Sequence, residues 1–264
     1  MNKKAKAVLS INIAGLIYGV RWGLRNAANK LALCYDFIDP LGKGKEISSA
    51  ETLKKLSQIS QTDIENIVKE IPIVRLDARQ TYVDGALPQK DLMGLLSLLI
   101  DWGPDVVVEI GTFHGATTAA MALNVPNAMI HTVDLPLDYQ IGHEREANIP
   151  KDDFHLILGR KVGEAYKSLS GVNNITQHLF DSAIWDFEEV KGASFFFIDG
   201  SHTYEYAKND TEKCMSVAHS KARFVLHDCD ERHPGVVDYV FELIKEGIPV
   251  TRIKNTAIVF FDKN

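Results

Sequence analysis

Residues 106–118 read VVVEIGTFHGATT, an apolar run that ends in an acid and continues into two glycines four residues apart. A β-branched run without polar alternation is typical of a strand buried on both faces of a parallel sheet. Gly111 permits the tight turn that brings backbone N–H groups close to a ligand. A helix beginning near Gly115 directs the positive end of its dipole to the same place. The stretch therefore predicts a strand, a turn and a helix that bind a cofactor.

The spacing of these glycines separates two classes of cofactor. The dinucleotide fingerprint requires G-x-G-x-x-G, and position 113 is Phe, which argues against an NAD-dependent oxidoreductase. An acid followed by Gly-x-x-x-Gly resembles motif I of the Rossmann-like methyltransferases that use S-adenosylmethionine. The resemblance places Glu109 near the positively charged methionine end of that cofactor. Taken alone, the motif is also compatible with a buried strand and turn that bind nothing.

Length and composition favour a globular domain with a small-molecule substrate. The 264 residues, 45% hydrophobic and 24% charged, suffice for one large α/β domain with a sizeable core. A net charge of −6 provides no general attraction to nucleic acid. The three cysteines, Cys34, Cys214 and Cys229, have no C-x-x-C spacing, so we expect neither a disulfide framework nor a zinc knuckle. A reducing cytoplasm fits this pattern best.

The N-terminus is basic and then apolar over residues 7–20, as in a secretory signal. The apolar stretch ends at Arg21 and is shorter than the roughly 20 residues that span a bilayer. Apolar residues continue at helical spacing as far as Leu31. We therefore predict one long amphipathic helix. Docking of this helix on the main domain, or on a second copy in a homo-oligomer, is favoured over attachment to a membrane surface.

The remaining chain divides at about residue 87. Ser48-x-x-Glu51 and Thr62-x-x-Glu65 have the spacing of capping boxes and predict two more helices. Residues 1–87 are thus predicted to form a helical cap or interaction segment, and residues 88–264 the cofactor-binding domain.

That domain is predicted to be a Rossmann-like, doubly wound α/β fold. A helix from Pro88 to Ile100 precedes alternating strands and helices. The predicted seven-stranded, mostly parallel sheet comprises residues 105–110, 129–134, 174–180, 194–199, 222–227, 249–254 and 256–262, with the last two strands as an antiparallel hairpin. The long connection 135–159 is equally consistent with a lid and with a solvated insertion.

Two predicted strand ends carry candidate cofactor contacts. Asp134 ends its strand about 20 residues after the glycine turn, where a ribose diol would lie. Its alternative role is to cap a helix or turn. Asp181 and Ser182 follow the next strand, and the methyltransferase resemblance places adenine contacts there, with a capping pair as the alternative.

The next two strand ends carry candidate catalytic groups. Asp199 ends the segment 194–199, with His202 three residues on, and His227 and Asp228 end the following strand. Adjacent parallel strands ending in acids bring carboxylates together, and hard oxygen ligands suit a divalent ion such as Mg²⁺. The alternative role of His202 is a capping or hydrogen-bonding histidine.

The segments Asp-Gly-x-His-x-Tyr (199–204), His-Asp (227–228) and Pro-Gly-Val (234–236) together make the resemblance more specific. Over residues 88–262 the chain resembles the family of macrocin and other macrolide sugar O-methyltransferases and the cephalosporin-hydroxylase-like proteins. The resemblance implies that Asp199 and Asp228 bind a metal and that His202 is the general base. His227 stands where these relatives often have an acid. Either a transition metal replaces Mg²⁺, Asp230 substitutes, or no metal is bound.

The predicted function is metal-assisted transfer of a methyl group from S-adenosylmethionine to a hydroxyl of a small molecule, sugar or natural product. Alternatives are a non-catalytic methyltransferase-like protein that binds cofactor or a partner and, third, an NAD-dependent oxidoreductase. Predicted catalytic residues are His202 and Asp199; predicted metal ligands are Asp199, His227 and Asp228; predicted cofactor contacts are Glu109, Gly111, Thr112, Gly115, Asp134, Asp181 and Ser182.

Overall fold

The computed structural model describes residues 18–21, 49–76, 86–136 and 161–263. The strands of these ranges are β1 (Tyr18–Arg21), β2 (Ser60–Thr62), β3 (Ile73–Leu76), β4 (Val106–Ile110), β5 (Met129–Asp134), β6 (Ile175–Leu179), β7 (Phe195–Ile198), β8 (Ala222–Leu226), β9 (Thr251–Ile253) and β10 (Val259–Lys263). The α-helices are α1 (Ala50–Gln58), α2 (Gln89–Trp102), α3 (Ala116–Asn124), α4 (Glu164–Lys167), α5 (Tyr204–Val217) and α6 (Pro234–Lys245).

Eight strands form one sheet in the order β2-β9-β10-β8-β7-β4-β5-β6. The five strands from β6 to β8 are parallel, and β10 is antiparallel to both β8 and β9. The Rossmann-like α/β class and the C-terminal hairpin are therefore confirmed. The predicted seven strands missed β2, which pairs with the edge of β9. The three residues of β2 are mostly exposed and carry no apolar pattern. Their extended conformation is therefore determined by pairing with β9.

The chain order reverses between β4 and β7. From β4 the chain runs outward through β5 and β6 and then returns to the other side of β4 as β7. In open α/β sheets, ligands bind beyond the carboxyl ends of the strands at such a reversal. The ends of β4 and β7 therefore mark the expected binding crevice.

Continuous apolar strands bury both faces of the sheet. On one face Phe196 and Leu226 lie in a core with Val240 of α6, and on the other Phe197 lies in a core with Leu95 of α2. Completely burying a side chain of this size contributes about 1.5–3 kcal/mol. This packing holds the ends of neighbouring strands at one edge.

The predicted N-terminal helices are only partly confirmed. Helix α1 is present, but Ser49 rather than Ser48 caps it, with its hydroxyl accepting from the Thr52 N–H at 3.1 Å. The second predicted helix is wrong: the chain forms a 3₁₀ turn over Ile64–Asn66 between β2 and β3. The capping-box spacing of Thr62 and Glu65 favours a helix here. It is outweighed because Ile64 is buried beside α2 and β2 pairs with β9. The described part of residues 1–87 is thus not all helical, while a domain boundary at residue 87 stays a prediction.

The long N-terminal helix is wrong at residues 18–21, which form β1 and pair with β3. Glycine in a helix interior costs about 1 kcal/mol relative to alanine, and Gly19 lies in this segment. The rest of that predicted helix, and nearly all of the 135–159 connection, lie outside the described residues. Within the described ranges, no helix has the length and apolar content needed to cross a bilayer.

Candidate active site

The glycine turn after β4 is built around a close approach to β7. Gly111 has φ of 100°, and a Cβ there would lie 2.0 Å from the backbone oxygen of Asp199. Gly115, with φ of 78°, precedes α3, and a Cβ there would lie 2.6 Å from the ring of Tyr166. Both positions need glycine because backbone or ring atoms occupy the space of a side chain. The loop thereby presses against the strand that ends in Asp199.

Glu109 is completely buried at the end of β4. Its Oε2 accepts hydrogen bonds from the Thr118 and Thr132 hydroxyls at 2.5 and 2.6 Å, while Oε1 has no partner within the described ranges. Burial raises the pKa of Glu109 to about 8 although both hydroxyls stabilise the carboxylate. An unpaired buried oxygen is costly unless a ligand donor or positive charge reaches it. The residue fits a cationic cofactor such as S-adenosylmethionine.

Asp134 and Thr112 stabilise the same loop. The Asp134 carboxylate accepts from the Phe113 N–H at 2.6 Å and from the Leu135 N–H at 2.7 Å. Thr112 Oγ1 lies 2.6 Å from the Thr132 hydroxyl. Asp134 thus lies beside the glycine turn and has a loop-capping role in this structure, and its contact with a ribose stays a prediction.

Asp181 and Ser182 are buried just beyond β6. The Tyr206 hydroxyl of α5 donates to both Asp181 oxygens, at 3.1 and 3.2 Å, and the Ala183 N–H donates to Asp181 at 2.8 Å. The capping role weighed for this pair is therefore present in Asp181, which accepts from the backbone two residues on. Their contact with adenine stays a prediction.

The ends of β7 and β8 bring together Asp199, His202, His227 and Asp228. His227 Nδ1 lies 3.0 Å from Asp199 Oδ1 and 3.3 Å from Asp228 Oδ2. His202 Nε2 lies 2.8 Å from the same Asp228 oxygen. The ligand atoms of Asp199, His227 and Asp228 all lie within 4.8 Å of one another, which brings together the three predicted metal ligands.

Asp91 is a site residue that sequence reasoning missed. It lies in the first turn of α2, where an acid is usually attributed to the helix dipole, so no signal distinguished it. Its Oδ2 lies 2.9 Å from His227 Nε2 and accepts from the Ala257 N–H at 3.0 Å. Since Nε2 of His227 faces Asp91, its Nδ1 is the atom that faces Asp199 and Asp228.

Charge complementarity stabilises this cluster. Burial disfavours the charged form of His227, but the carboxylates of Asp199 and Asp228 outweigh it and raise the pKa of His227 well above its usual value. Burial would also raise the pKa of Asp228, yet the positive charge of His227 and the hydrogen bond from His202 hold it well below its usual value. Positive charge is therefore favoured between these carboxylates, and a divalent cation bound to Asp199 and Asp228 would take the place of a proton on His227 Nδ1.

Asp230 does not join this cluster. Its Oδ2 accepts from the Arg232 guanidinium at 2.6 Å, and its Oδ1 lies 3.0 Å from His233 Nδ1. This geometry does not support Asp230 as the substitute for an acid at position 227.

Of the two alternative roles of His202, capping of helix α5 is wrong, whereas a polar contact of its ring is present. The cap is Thr203, whose hydroxyl accepts from the Tyr206 N–H at 3.4 Å, while the His202 ring faces Asp228. The glycine of the Pro-Gly-Val segment is required for steric reasons, because a Cβ on Gly235 would lie 2.6 Å from the backbone oxygen of His202. The start of α6 therefore packs directly against the segment that carries His202.

Comparison with known proteins agrees with this geometry. Residues 108–229, from β4 to the end of the β8 cluster, match the family model described as a methyltransferase domain. No curated protein sequence matches the chain significantly.

Several solved structures resemble the chain at low sequence identity. The O-methyltransferase NovP is 12% identical, with 66% of this chain and 80% of that chain covered and a TM-score of 0.49. CalS11, a TDP-rhamnose 3′-O-methyltransferase of calicheamicin biosynthesis, is 13% identical, with 66% and 79% covered and a TM-score of 0.46. Cofactor-bound Rv0187 from MTB is 14% identical, with 87% and 95% covered and a TM-score of 0.47.

Proposed function

We propose that this chain is an S-adenosylmethionine-dependent enzyme that methylates a hydroxyl oxygen of a small molecule, since its residues 108–229 match the model of a methyltransferase domain. The observation that carries the proposal is the pairing of His202 with Asp228 at the strand ends that contact the glycine loop. Gly111 lies against the backbone of Asp199, so the glycine turn and the polar cluster are neighbours at one edge of the sheet. A bound methyl donor and a hydroxyl acceptor would meet there.

The cofactor, when bound, supplies a methyl group that its sulfonium already activates. The protein then mainly has to align the acceptor oxygen and exclude water, and such positioning can lower a barrier by about 7–11 kcal/mol. Glu109 would offer its unpartnered oxygen to the positively charged end of the cofactor. Gly111 and Gly115 leave room for backbone atoms to approach it.

His202 is the proposed general base. A sugar-like hydroxyl is a very weak acid, so transfer benefits from a group that takes its proton as the new bond forms. The Asp228 carboxylate, 2.8 Å from His202 Nε2, would orient the ring and stabilise the imidazolium that results.

Asp199, His227 and Asp228 have the donor atoms to hold a divalent cation, either Mg²⁺ or a transition metal. Ligands at 2.0–2.1 Å around an octahedral ion are about 3 Å apart, close to the 3.0 and 3.3 Å between these side chains. Asp91 contacts the opposite nitrogen of His227, as carboxylates commonly do for metal-binding histidines. When bound, such an ion would lower the pKa of a coordinated substrate hydroxyl.

Metal removal tests this function. With S-adenosylmethionine and a panel of sugars and phenols, we expect turnover that EDTA lowers by at least about 100-fold, since a Lewis acid typically contributes several kcal/mol. Excess Mg²⁺ or Mn²⁺ should restore it, but not in Asp199→Asn. The exposed control Asp105→Asn should behave like the unsubstituted chain. Full turnover in EDTA would disprove the role of the metal. With amines added to the panel, methylation of amines and of no hydroxyl compound would disprove O-methyl transfer.

Asp91→Asn tests the support of His227. We expect metal affinity to fall by about 10–100-fold, because the substitution removes the charge that orients this ligand. Altering a buried hydrogen-bond acceptor should also cost about 1–3 kcal/mol of unfolding free energy. Equilibrium metal titration and urea denaturation measure the two effects separately. Metal affinity equal to that of the unsubstituted chain would show that Asp91 only anchors Ala257.

A further inference from the structure

A second group of metal-ligating side chains lies beside the first and includes a residue that the proposed reaction does not use. His202 precedes α5, Asp228 follows β8, and His233 caps the start of α6. Their ligand atoms also lie within 4.8 Å of one another. His202 Nε2 lies 2.8 Å from Asp228 Oδ2, and His233 Nδ1 lies 3.4 Å from Asp228 Oδ1. One carboxylate therefore lies between two imidazole rings.

The donor chemistry of the two groups differs. Asp199, His227 and Asp228 offer two carboxylates and one imidazole, whereas His202, Asp228 and His233 offer two imidazoles and one carboxylate. Nitrogen-rich sets of this kind favour zinc and other transition metals over Mg²⁺, which requires oxygen ligands. Catalytic zinc sites commonly have three such ligands and one open position.

We propose that His202, Asp228 and His233 bind a transition-metal cation, represented by Zn²⁺, and that this ion inhibits methyl transfer. The inhibition rests on the proposed function, because the bound ion would occupy His202, the proposed general base. A neutral imidazole has a free lone pair on only one nitrogen, so coordination through Nε2 leaves the proton on Nδ1 and His202 can no longer accept one. Asp228 belongs to both groups, so the inhibitory ion also competes with the activating one for this carboxylate.

The spacing and exposure of the three residues fit reversible binding. Zn²⁺ ligands at about 2.0–2.1 Å in a tetrahedron are about 3.3–3.4 Å apart. The His233 Nδ1–Asp228 Oδ1 separation is 3.4 Å, while His202 Nε2 and Asp228 Oδ2, 2.8 Å apart, would separate by about 0.5 Å when an ion replaces their hydrogen bond. The side chains of His202, Asp228 and His233 are 21%, 13% and 21% exposed. An ion can therefore reach the group from solvent without opening the core.

The surroundings of His233 hold its ring beside Asp228. Asp230 Oδ1 lies 3.0 Å from His233 Nδ1, and the Arg232 guanidinium fixes the other Asp230 oxygen at 2.6 and 3.0 Å. The rings of His202 and His233 lie 4.4 Å apart between centroids. To bind an ion through Nδ1, His233 must give up this contact with Asp230, but its ring is already in place and therefore loses less entropy when it becomes a ligand.

Direct zinc titration of the metal-free full chain tests the site without reference to activity. Competition with a chromophoric chelator should report one tightly bound Zn²⁺ per chain. Replacing an orienting neighbour of a metal ligand typically costs 10–100-fold in affinity, so His233→Gln, which removes a ligand, should cost at least about 100-fold. His202→Gln should do the same, while the exposed control His219→Gln and Asp199→Asn retain the affinity of the unsubstituted chain. Circular dichroism confirms that the variants are folded.

Two outcomes of the titration would overturn the site. One is the absence of zinc binding to the unsubstituted chain, and the other is loss of binding in Asp199→Asn with retention in His233→Gln, which places the ion in the other group. In turnover assays with Mg²⁺, each variant's rate is divided by its rate without zinc. His233→Gln should then need at least about 100-fold more zinc for half-inhibition than the unsubstituted chain. Zinc that binds at His233 and leaves turnover unchanged would overturn the inhibition. A chain that transfers no methyl group but binds zinc here would contradict the proposed function and support the site.

Discussion

His202→Ala is expected to lower kcat by about 10²–10⁴-fold, the usual contribution of a positioned acid or base. The ring of His202 lies 2.8 Å from Asp228, at the crevice where the acceptor hydroxyl would bind. Its removal takes away the proton acceptor without touching Glu109 or the glycine loop. The affinity for S-adenosylmethionine should therefore stay close to that of the unsubstituted enzyme.

Steady-state kinetics and calorimetric titration of S-adenosylmethionine together measure this prediction. His219→Ala, in an exposed turn before β8, is the matched control and should leave both quantities unchanged. A general base acts in the transition state, so the loss should be in kcat with little change in KM. Normal turnover in His202→Ala would exclude the residue as base, and loss of cofactor affinity would indicate a structural role instead.

Gly111→Ala should destabilise the protein by about 2–6 kcal/mol and abolish cofactor binding. Two costs combine: a non-glycine residue at φ of 100° is strained by about 1–3 kcal/mol, and forced overpacking costs about 1–3 kcal/mol. The new Cβ would meet the Asp199 backbone oxygen at 2.0 Å, so the loop or β7 must move. Both movements disturb the crevice between cofactor and acceptor.

Gly192→Ala provides a control that separates the two costs. Gly192 has φ of 87°, and apart from its chain neighbours no atom of the described residues lies within 4 Å of a Cβ placed there, so alanine adds only the conformational strain of about 1–2 kcal/mol. Urea denaturation of both variants gives the difference in unfolding free energy, and S-adenosylmethionine titration gives the effect on the loop. If Gly111→Ala and Gly192→Ala lowered the unfolding free energy equally, the close contact between the new Cβ and Asp199 would contribute nothing to the destabilisation.

The strands of the domain were predictable because their patterns are strong and local. In β4, β7 and β8, burial on both faces leaves continuous apolar runs, and glycines or acids mark their ends. Strand β2 was not predictable, since its three residues are mostly exposed and acquire their conformation from the edge of β9. The N-terminal helices failed for a related reason: capping spacing and apolar periodicity are weaker than pairing and burial in the folded chain.

Sequence reasoning located the polar strand ends and missed the residues that surround them. Parallel strands align their carboxyl ends, which is why Asp199, His227 and Asp228 were expected at one edge. The contact between Asp91 and His227 joins positions 136 residues apart. Asp91 lies in the first turn of a helix, where an acid has an ordinary local explanation.

The sequence by itself determined the strand, glycine turn and helix of residues 106–118 and the chemical groups at the later strand ends. These follow from backbone sterics and from the periodicity of apolar side chains, which act over a few residues. The tertiary structure alone decided that Gly111 lies against Asp199, that Asp91 supports His227, and that Asp228 is shared by His202, His227 and His233. Such contacts depend on strand order and helix packing, and no spacing along the chain encodes the distances that result.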